Sequence, residues 1–203
     1  MFRARAGDFV DATDGRGAVA RLRIAGVGAE VRAEVLSVER PGRKRETRLW
    51  CGAPERGRAD WLVEKLAELG VARFQPLECE GAPWSTGDAR AGRWRRLTIA
   101  ALRQSRRTFL MEILPPISVA EAIETLEHPG SRVVGDSQGR HAGGPVLTAG
   151  LETGAIGPSG GFQARERQRL DAAGFVPIRL ADGRLRTETA AVSLAAWWAM
   201  GGS

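Results

Sequence analysis

The first part of the chain, up to Arg45, consists of short runs in which apolar and polar residues alternate. The segment 9–13 alternates as a half-buried strand does, and Asp14-Gly15 behind it is a typical hairpin turn. A second turn signal follows at Gly26-Val27-Gly28. These patterns predict a small β unit, and the Pro-Gly-Arg-Lys-Arg run at 41–45 is typical of a linker to the next domain.

Beyond the linker, strand-like and helix-like patterns take turns along the chain. The helix pattern is clear at 59–69, where Leu62, Leu66 and Leu69 share one face and Gly70 ends the helix. Further helices are predicted at 91–107, 119–126 and 188–200, and strands at 47–51, 71–77, 131–134, 155–156 and 175–180. Strands that alternate with helices predict an α/β domain with a mostly parallel sheet.

Length and composition restrict the class of protein. With 203 residues, 43% of them hydrophobic, the chain can form one full domain and a smaller one. It has no apolar run long enough to span a membrane and no signal-peptide core, so we expect a cytoplasmic protein.

Cysteines and histidines are too few for the common metal and nucleophile sites. Cys51 and Cys79 form no C-x-x-C pair and are expected to be buried. His128 and His141, the only histidines, stand in no metal-ligand spacing. We therefore expect no metal, and zinc catalysis and Ser-His hydrolysis are both disfavoured.

The formal net charge of +6 and the isoelectric point near 10.7 indicate an anionic partner. Positive charge is densest at 88–107, where seven arginines stand against one acid, Asp88. Arg96, Arg103 and Arg107 recur at helical spacing, so one face of a helix can meet phosphate while its other side packs. A solvated helix face is the structural alternative. We favour RNA because like charges so close together repel unless an anion neutralises them.

A glycine-rich turn, Gly157-Pro158-Ser159-Gly160-Gly161-Phe162, follows a strand-like run and precedes a helix-like one. The Gly160-Gly161 pair lets the backbone approach a ligand closely. Many strand-to-helix turns contain glycine and bind nothing, so this turn is weak evidence by itself. It is neither a G-x-G-x-x-G motif nor a P-loop, which argues against nicotinamide and ATP as cofactors.

A charged turn at 180–187 enters an otherwise apolar helix near the C-terminus. Thr187 is an ordinary N-cap residue, and Glu188 suits the first helical turn. Arg186 is different, because a cation is unfavourable at a helix N-terminus unless it has a partner or a function. This turn is therefore a second candidate site.

Five segments, in order, resemble the RsmE family of bacterial ribosomal RNA uridine-N3 methyltransferases, which belongs to the SPOUT superfamily. Residues 185–190 match its L-R-T-E-T-A, and 157–162 is similar to its G-P-E-G-G-F loop. The segment 60–71 resembles its K-x-x-E-L-G-V helix, 93–107 resembles its R-W and Q-S-x-R helix, and 3–17 resembles its N-terminal barrel. No segment suffices alone, but together they span nearly the whole chain.

The resemblance implies a fold and a cofactor. Residues 1–42 would form a PUA-like β-barrel for RNA binding, shortened at its start, and 46–203 a SPOUT methyltransferase domain whose C-terminal chain threads a trefoil knot. S-adenosylmethionine would lie among three knot loops, and the protein would work as a homodimer with the cofactor beside the partner subunit. The implied cofactor-binding residues are Val134, Gly135, Asp136, Gly157, Pro158, Gly160, Gly161, Leu180, Leu185, Arg186 and Thr187.

The same resemblance implies methyl transfer from S-adenosylmethionine to N3 of a uridine in small-subunit (16S) ribosomal RNA. N3 is a weak nucleophile while protonated, so positive charge that stabilises its anion helps the reaction. We expect Arg186 and Arg106 to supply that charge, and Glu188 to orient an arginine or accept a proton. N3 lies on the Watson–Crick edge, so the base must be unpaired or flipped out of its stack. The expected RNA-binding residues are Arg93, Arg96, Arg103, Arg107 and Lys65.

Two departures from the family pattern keep other functions open. Ser159 stands where the family has glutamate, and Glu80-Gly81-Ala82-Pro83 replaces an E-R-S-V stretch and so lacks its arginine. A protein that keeps the fold and binds RNA without catalysis is therefore a second hypothesis. A third is a SPOUT enzyme that methylates a ribose 2′-hydroxyl, which fits the L-R-T-E-T-A and Q-S-x-R segments less well.

Overall fold

The computed structural model describes residues 4–43, 46–84, 91–126, 130–143 and 151–201. Two sheets and five helices make up this part of the chain. The strands are β1 (Phe9–Thr13), β2 (Val19–Val27), β3 (Val31–Glu39), β4 (Glu46–Cys51), β5 (Arg73–Glu78), β6 (Glu112–Ile113), β7 (Ile117–Ser118), β8 (Arg132–His141), β9 (Leu151–Ile156) and β10 (Val176–Arg179). The helices are α1 (Ala59–Leu69), α2 (Ala91–Ser105), α3 (Val119–Glu124), α4 (Ala164–Ala172) and α5 (Thr187–Met200).

The first three strands form an antiparallel sheet in the order β1-β2-β3. The Asp14 carboxylate closes the first hairpin by accepting hydrogen bonds from the backbone N–H groups of Arg16 (2.7 Å) and Ala18 (3.0 Å), and these bonds lower its pKa. The hairpin predicted here is confirmed. The second turn comes at 28–30, slightly later than predicted, because β2 continues through Val27.

The loop after α2 fixes this antiparallel sheet to the rest of the molecule. The Gly17 N–H donates to the Thr108 carbonyl (3.0 Å), and the Leu110 N–H donates to the Gly15 carbonyl (2.8 Å). Phe109 packs its ring against Gly17, where a Cβ atom would come within 2.5 Å of the ring. The sheet therefore has a defined position next to the end of α2.

The second sheet is parallel in all of its described pairs. It runs in the order β10-β8-β9-β4-β5-β6, and β7 also pairs with β5. β4 and β9 stay in register along their length, from Glu46 opposite Leu151 to Cys51 opposite Ile156. The predicted α/β domain with a mostly parallel sheet is confirmed.

Apolar side chains of the inner strand β4 pack on both faces of the sheet. Leu49 and Cys51 face α1, α2 and α5, whereas Trp50 faces α3 and α4. The centre of the Trp50 ring lies 5.2 Å from that of Phe175. A parallel strand that is covered on both sides in this way needs apolar residues at successive positions. The result is three layers, with helices on either side of the sheet.

Two helix ends are set by left-handed residues. α1 covers the predicted residues 59–69, and Gly70 follows it at φ +84°. α2 ends at Ser105, slightly earlier than predicted, because Arg106 takes the left-handed conformation at φ +54°.

Other boundaries differ from the sequence prediction. β8 extends to His141 instead of ending at Val134, since its far end pairs with β10. α5 begins at Thr187, but the N-cap residue is Arg186, because the Thr187 hydroxyl donates to the Gly157 carbonyl (3.1 Å). The short strands β6 and β7 are too brief to show a period in the sequence.

Both cysteines are buried, as predicted. Burial raises the pKa of the Cys51 thiol well above its usual value and that of Cys79 to about 12. Neither thiol is a ready nucleophile near neutral pH. In the described ranges, no cluster of His, Cys, Asp or Glu could hold a metal ion, and no helix is long and apolar enough to cross a membrane.

α5 packs tightly on β9 at Gly154, where a Cβ atom would come within 2.5 Å of Leu194 and 2.7 Å of Trp198. We expect Gly154→Ala to lower the free energy of unfolding by about 1–3 kcal/mol through overpacking. Gly92→Ala, in open space near the start of α2, should leave it unchanged or raise it slightly. Urea unfolding of the wild type and both variants measures the difference. Equal stability of the wild type and Gly154→Ala would contradict this packing of α5.

Candidate functional site

A cleft of about 380 Å³ lies along β8 and beyond the carboxyl ends of β9 and β10. Its walls include 135–137 of β8, Ile156 with the loop 157–162 after β9, and Arg179 at the end of β10 with residues 180, 181 and 183–185 of the loop after it. Arg167 of α4 and Thr187 of α5 contribute the remaining sides. Ligand sites of α/β proteins commonly lie at this edge of a parallel sheet, and the volume suits a ligand of cofactor size.

Two hydrogen bonds join the elements on opposite sides of the cleft. The Thr187 hydroxyl donates to the Gly157 carbonyl (3.1 Å), and the Arg184 guanidinium donates to the Ser159 carbonyl (3.0 Å). The loop after β9 is thereby held against both the loop after β10 and the first turn of α5. Ser159 contributes its backbone to this contact, so the contact does not depend on which side chain stands there.

The loop after β9 requires glycine for two different reasons. Gly161 has φ +82° and donates its N–H to the Pro158 carbonyl (2.8 Å), which forms a tight turn. At Gly157, by contrast, a Cβ atom would come within 2.9 Å of the Phe162 nitrogen. This close approach at Gly157 is between parts of the loop itself, and the close approach to a ligand predicted at Gly160-Gly161 stays a prediction.

The buried carboxylate of Glu166 anchors the helix behind this loop. It accepts hydrogen bonds from the backbone N–H groups of Gln163 (2.8 Å) and Glu80 (2.9 Å). The first bond belongs to the start of α4, and the second ties α4 to the segment after β5. The Q-x-x-E spacing of Gln163 and Glu166 in the sequence is consistent with the first of these hydrogen bonds. The sequence carries no signal for the second, since Glu80 and Glu166 are 86 residues apart.

The single carboxylate of the cleft is held by a neighbouring arginine. Arg167 forms ion pairs with Asp136 and, at 2.9 Å, with Asp171. The Gln138 backbone N–H, which donates to the Asp136 carboxylate, and the charge of Arg167 together lower the pKa of Asp136. Asp136 therefore stays ionised near neutral pH, and among the described residues it is the only acid that lines the cleft.

Arg186 and Glu188, at the start of α5, each face an opposite charge from the loop after β4. The Arg186 Nη1 lies 2.9 Å from the Glu55 Oε2, and the Arg58 Nε lies 3.9 Å from the Glu188 Oε1. Glu188 is 4% exposed, and its Oε2 has no hydrogen-bond partner in the described part of the chain. Arg186 thus has the partner that a cation at a helix N-terminus needs, while the arginine beside Glu188 is Arg58.

Three of the residues expected to bind RNA have structural partners. Arg93 pairs with Asp60, and the Arg107 Nε donates to the Glu68 carbonyl (2.6 Å) at the end of α1. Burial lowers the pKa of Arg107. Lys65 is held by two neighbouring glutamates of α1. The contacts of Arg93 and Arg107 fasten α2 and the residues after it to α1, and all three cations are less available to phosphate.

The remaining arginines of α2 form an exposed face. Arg95, Arg96 and Arg103 are exposed, and their side chains have no ion-pair or hydrogen-bond partner among the described residues; we call these three the arginine face. Arg96 and Arg103 are about two helical turns apart and Arg95 directly precedes Arg96, so the three side chains lie within about 100° of the helix circumference. The opposite side is buried and consists of Trp94, Thr98, Ala101 and Leu102.

Arg106 and Arg186 lie near opposite ends of α1. α2 runs alongside α1 in the same direction, since their first turns meet through Trp94 and Asp60 (Nε1 to Oδ1, 3.1 Å). α5 starts beside Arg58, at the beginning of α1, whereas Arg106 follows the end of α2. Because α1 is about 16 Å long, one copy of the chain does not bring the two arginines together.

The cleft collects most of the residues expected to bind the cofactor. Val134 does not line the cleft, because it is fully buried between the sheet and the helices α3 and α4. Arg186 does not line it either, because its side chain pairs with Glu55. The expected residues that do line the cleft are Gly135, Asp136, Gly157, Pro158, Gly160, Gly161, Leu180, Leu185 and Thr187. Polar lining residues that no sequence pattern marks are Ser137, Arg167 and Arg179, whereas Arg184 belongs to the charged turn at 180–187.

Comparison with known sequences finds one family. A model of the RNA methyltransferase domain matches residues 42–199. The ribosomal RNA small subunit methyltransferase E of Aquifex aeolicus is 34% identical over 140 residues, which are 66% of this chain and 59% of that protein. The protein of the same name from Synechocystis is 28% identical over 136 residues, 64% of this chain and 45% of that protein. The chain thus spans about half the length of the curated relatives that it matches.

Solved structures agree with these matches. A probable rRNA-methyltransferase from Porphyromonas gingivalis is 26% identical and has a TM-score of 0.85, with 98% of this chain and 87% of that chain covered. A ribosomal RNA small subunit methyltransferase E from Neisseria gonorrhoeae, bound to S-adenosyl methionine, is 26% identical with a TM-score of 0.84, covering 95% of this chain and 82% of that chain. With the family model, these matches show that the chain belongs to the RsmE family of RNA methyltransferases, in the SPOUT superfamily.

Proposed function

We propose that this protein transfers a methyl group from S-adenosylmethionine to N3 of a uridine in small-subunit ribosomal RNA. The observation that carries the proposal is that two loops marked by separate family motifs, those after β9 and β10, meet residues 135–137 of β8 at one cleft. Membership of the RNA methyltransferase family supports it, as does the cofactor bound to the Neisseria neighbour.

The residues of the cleft fit S-adenosylmethionine. Ile156, Leu180 and Leu185 offer apolar surface to the adenine, and the backbone groups of the glycine-rich loop offer hydrogen bonds to polar atoms. The carboxylate of Asp136 can accept hydrogen bonds from hydroxyl or ammonium groups. When bound, the cofactor supplies an electrophilic methyl group on a sulfonium. The task of the protein is then to position the base and to activate its N3.

Arg186 is the residue that we assign to the negative charge that develops on N3 as its proton leaves. It precedes Thr187 of the cleft lining, and its exposed guanidinium pairs with Glu55. Such an exposed pair contributes at most about 1 kcal/mol, so RNA can displace it. Glu188 stays buried beside Arg58 and keeps the loop after β4 against α5.

The RNA would be held by sequence-independent contacts. The arginine face of α2 offers cations to phosphates, and these contacts position the RNA without reading its sequence. We propose that the sheet β1-β2-β3 is part of a PUA-like barrel that extends this surface. In the same proposal the chain from β9 to α5 forms the trefoil knot of the superfamily, and the protein acts in the cytoplasm on ribosomal RNA.

We further propose that the working unit is a homodimer. Within one copy, Arg106 is separated from the start of α5 by about the length of α1, roughly 16 Å. It can therefore serve the same reaction as Arg186 only across an interface between two copies. A symmetric dimer would complete two identical sites in this way.

Replacing Arg186 tests the reaction type. Arg186→Ala should lower methyl transfer about 100-fold or more while changing RNA affinity little, because its interaction strengthens only as charge develops on N3. Higher pH should partly restore transfer, since the base then ionises without help. The measurement is transfer from labelled S-adenosylmethionine to undermodified small-subunit RNA at several pH values, followed by nucleoside analysis.

The product and the pH profile decide between the hypotheses. A uridine methylated at N3 is expected, and Arg169→Ala, on the exposed side of α4, should behave as wild type. A 2′-O-methylated nucleoside would instead favour the ribose enzyme. Cofactor binding without transfer to any RNA would favour the silent RNA-binding protein, and a loss in Arg186→Ala that no pH restores would contradict the anion role.

The arginine face makes a second prediction, on RNA affinity. Replacing Arg96 and Arg103 together by Gln should flatten the dependence of log affinity on log salt by about 1.4–1.8, the share of two phosphate contacts. The matched control replaces Arg165 and Arg169 by Gln, which removes the same charge from α4 on the other side of the sheet. Equal slopes for the two double variants would mean that α2 contributes only general charge.

Subunit complementation makes a third prediction, on the dimer. Arg106→Gln and Arg186→Ala should each be nearly inactive alone. Co-expressed, they should recover about one quarter of the wild-type rate, since half of the dimers are mixed and each mixed dimer has one complete site. Size-exclusion chromatography and the transfer assay provide the measurements. A monomeric protein, or full activity of Arg106→Gln alone, would contradict the shared site.

A further inference from the structure

Arg179 differs from the other arginines that line the cleft. Arg167 pairs with two aspartates, and Arg184 donates to the Ser159 carbonyl at 3.0 Å. The Nε of Arg179, in contrast, is buried and has no hydrogen-bond partner in the part of the chain that the structure describes. A buried N–H group without an acceptor is unfavourable, and an acceptor in the cleft would recover that free energy.

Strand β10 fixes the position of this arginine. Ile178, the residue before it, is buried in the core, and successive side chains of a strand point to opposite faces. The Arg179 carbonyl accepts a hydrogen bond from the Ala142 N–H (2.9 Å), and the residue lies opposite His141 of β8. The guanidinium is therefore held at the cleft by a paired strand and not by a loose loop.

We propose that Arg179 binds the α-carboxylate of the methionine moiety of S-adenosylmethionine. The inference rests on the proposed function, which places that cofactor in the cleft. The cofactor carries one anionic group, the carboxylate, besides its cationic sulfonium and ammonium. A planar guanidinium pairs with a carboxylate through two parallel N–H donors. Asp136, the carboxylate of the cleft, offers the complementary charge to the ammonium.

A phosphate of the RNA is the other anion that the reaction brings to this part of the molecule. Two observations favour the cofactor. The Arg179 Nε is buried, whereas RNA phosphates meet exposed guanidinium groups such as those of the arginine face. Arg179 is also the last residue of β10. It directly precedes Leu180, where the loop that forms one wall of the cleft begins. An RNA contact is thus the competing outcome of the test.

Binding of three ligands distinguishes the contribution of the carboxylate from that of the rest of the cofactor. S-adenosylmethionine and S-adenosylhomocysteine carry the amino-acid moiety, and 5′-methylthioadenosine has the adenosine and sulfur without it. We expect Arg179→Gln to weaken binding of the first two by roughly ten- to a hundredfold, and that of the third by less than about twofold. Isothermal titration calorimetry gives the dissociation constants. Equal weakening of all three, or of none, would overturn the proposal.

Two further variants show whether the effect belongs to this guanidinium. Arg179→Lys keeps the charge but loses the two-donor geometry, so it should recover part of the affinity. Arg169→Gln removes the same charge from the exposed side of α4 and should leave all three constants unchanged. Weaker RNA binding with unchanged cofactor binding in Arg179→Gln would assign the residue to RNA and overturn the proposal.

The wild-type titration separates this inference from the proposed function. Wild-type protein that binds no S-adenosylmethionine would overturn the proposed function, and the inference with it. Wild-type binding together with an Arg179→Gln variant that binds the cofactor equally well would overturn the inference alone.

Discussion

The parallel pairing of β8, β9 and β4 is the constraint on which the candidate site depends. Because β10 also runs in this direction, the loops after β9 and β10 both begin at the edge of the sheet where the carboxyl ends of the strands lie. Hydrogen bonds from Thr187 and Arg184 hold the loops together there. Parallel sheets need cover on both faces, which is why the adjacent residues Leu49 and Trp50 are both fully buried. The core and the shape of the cleft therefore depend on the same strand pairs.

Features that local chemistry sets could be predicted from the sequence, and features that distant contacts set could not. α1 matches its prediction to the residue, because leucine spacing and Gly70 define it locally. β8 is longer than predicted because its second half is polar and becomes a strand by pairing with β10. The glycine-rich loop has a motif, whereas Arg167 and Arg179 acquire their places in the cleft only through the fold.

The cationic character of α2 changes once each arginine is placed. From the sequence, these arginines are all predicted to be available to phosphate. In the structure, however, Arg107 donates to the last turn of α1 and Arg93 neutralises Asp60. Of the predicted RNA-binding arginines, Arg96 and Arg103 remain exposed and without a partner among the described residues. The repulsion between like charges is therefore smaller than the sequence implies, and an argument for RNA binding rests on fewer side chains with better-defined positions.

Two ion pairs that differ in burial join the loop after β4 to the start of α5. Glu188 is 4% exposed, so removing its neighbour Arg58 would leave a buried charge without compensation, which is costly. The pair between Arg186 and Glu55 is exposed to solvent and costs little to break. A polyanion that approaches this edge would therefore separate the second pair first. In the proposed reaction the loop would stay docked through Glu188 while Arg186 exchanges its partner, so the burial of Glu188 and the exposure of Glu55 distinguish Arg58 from Arg186.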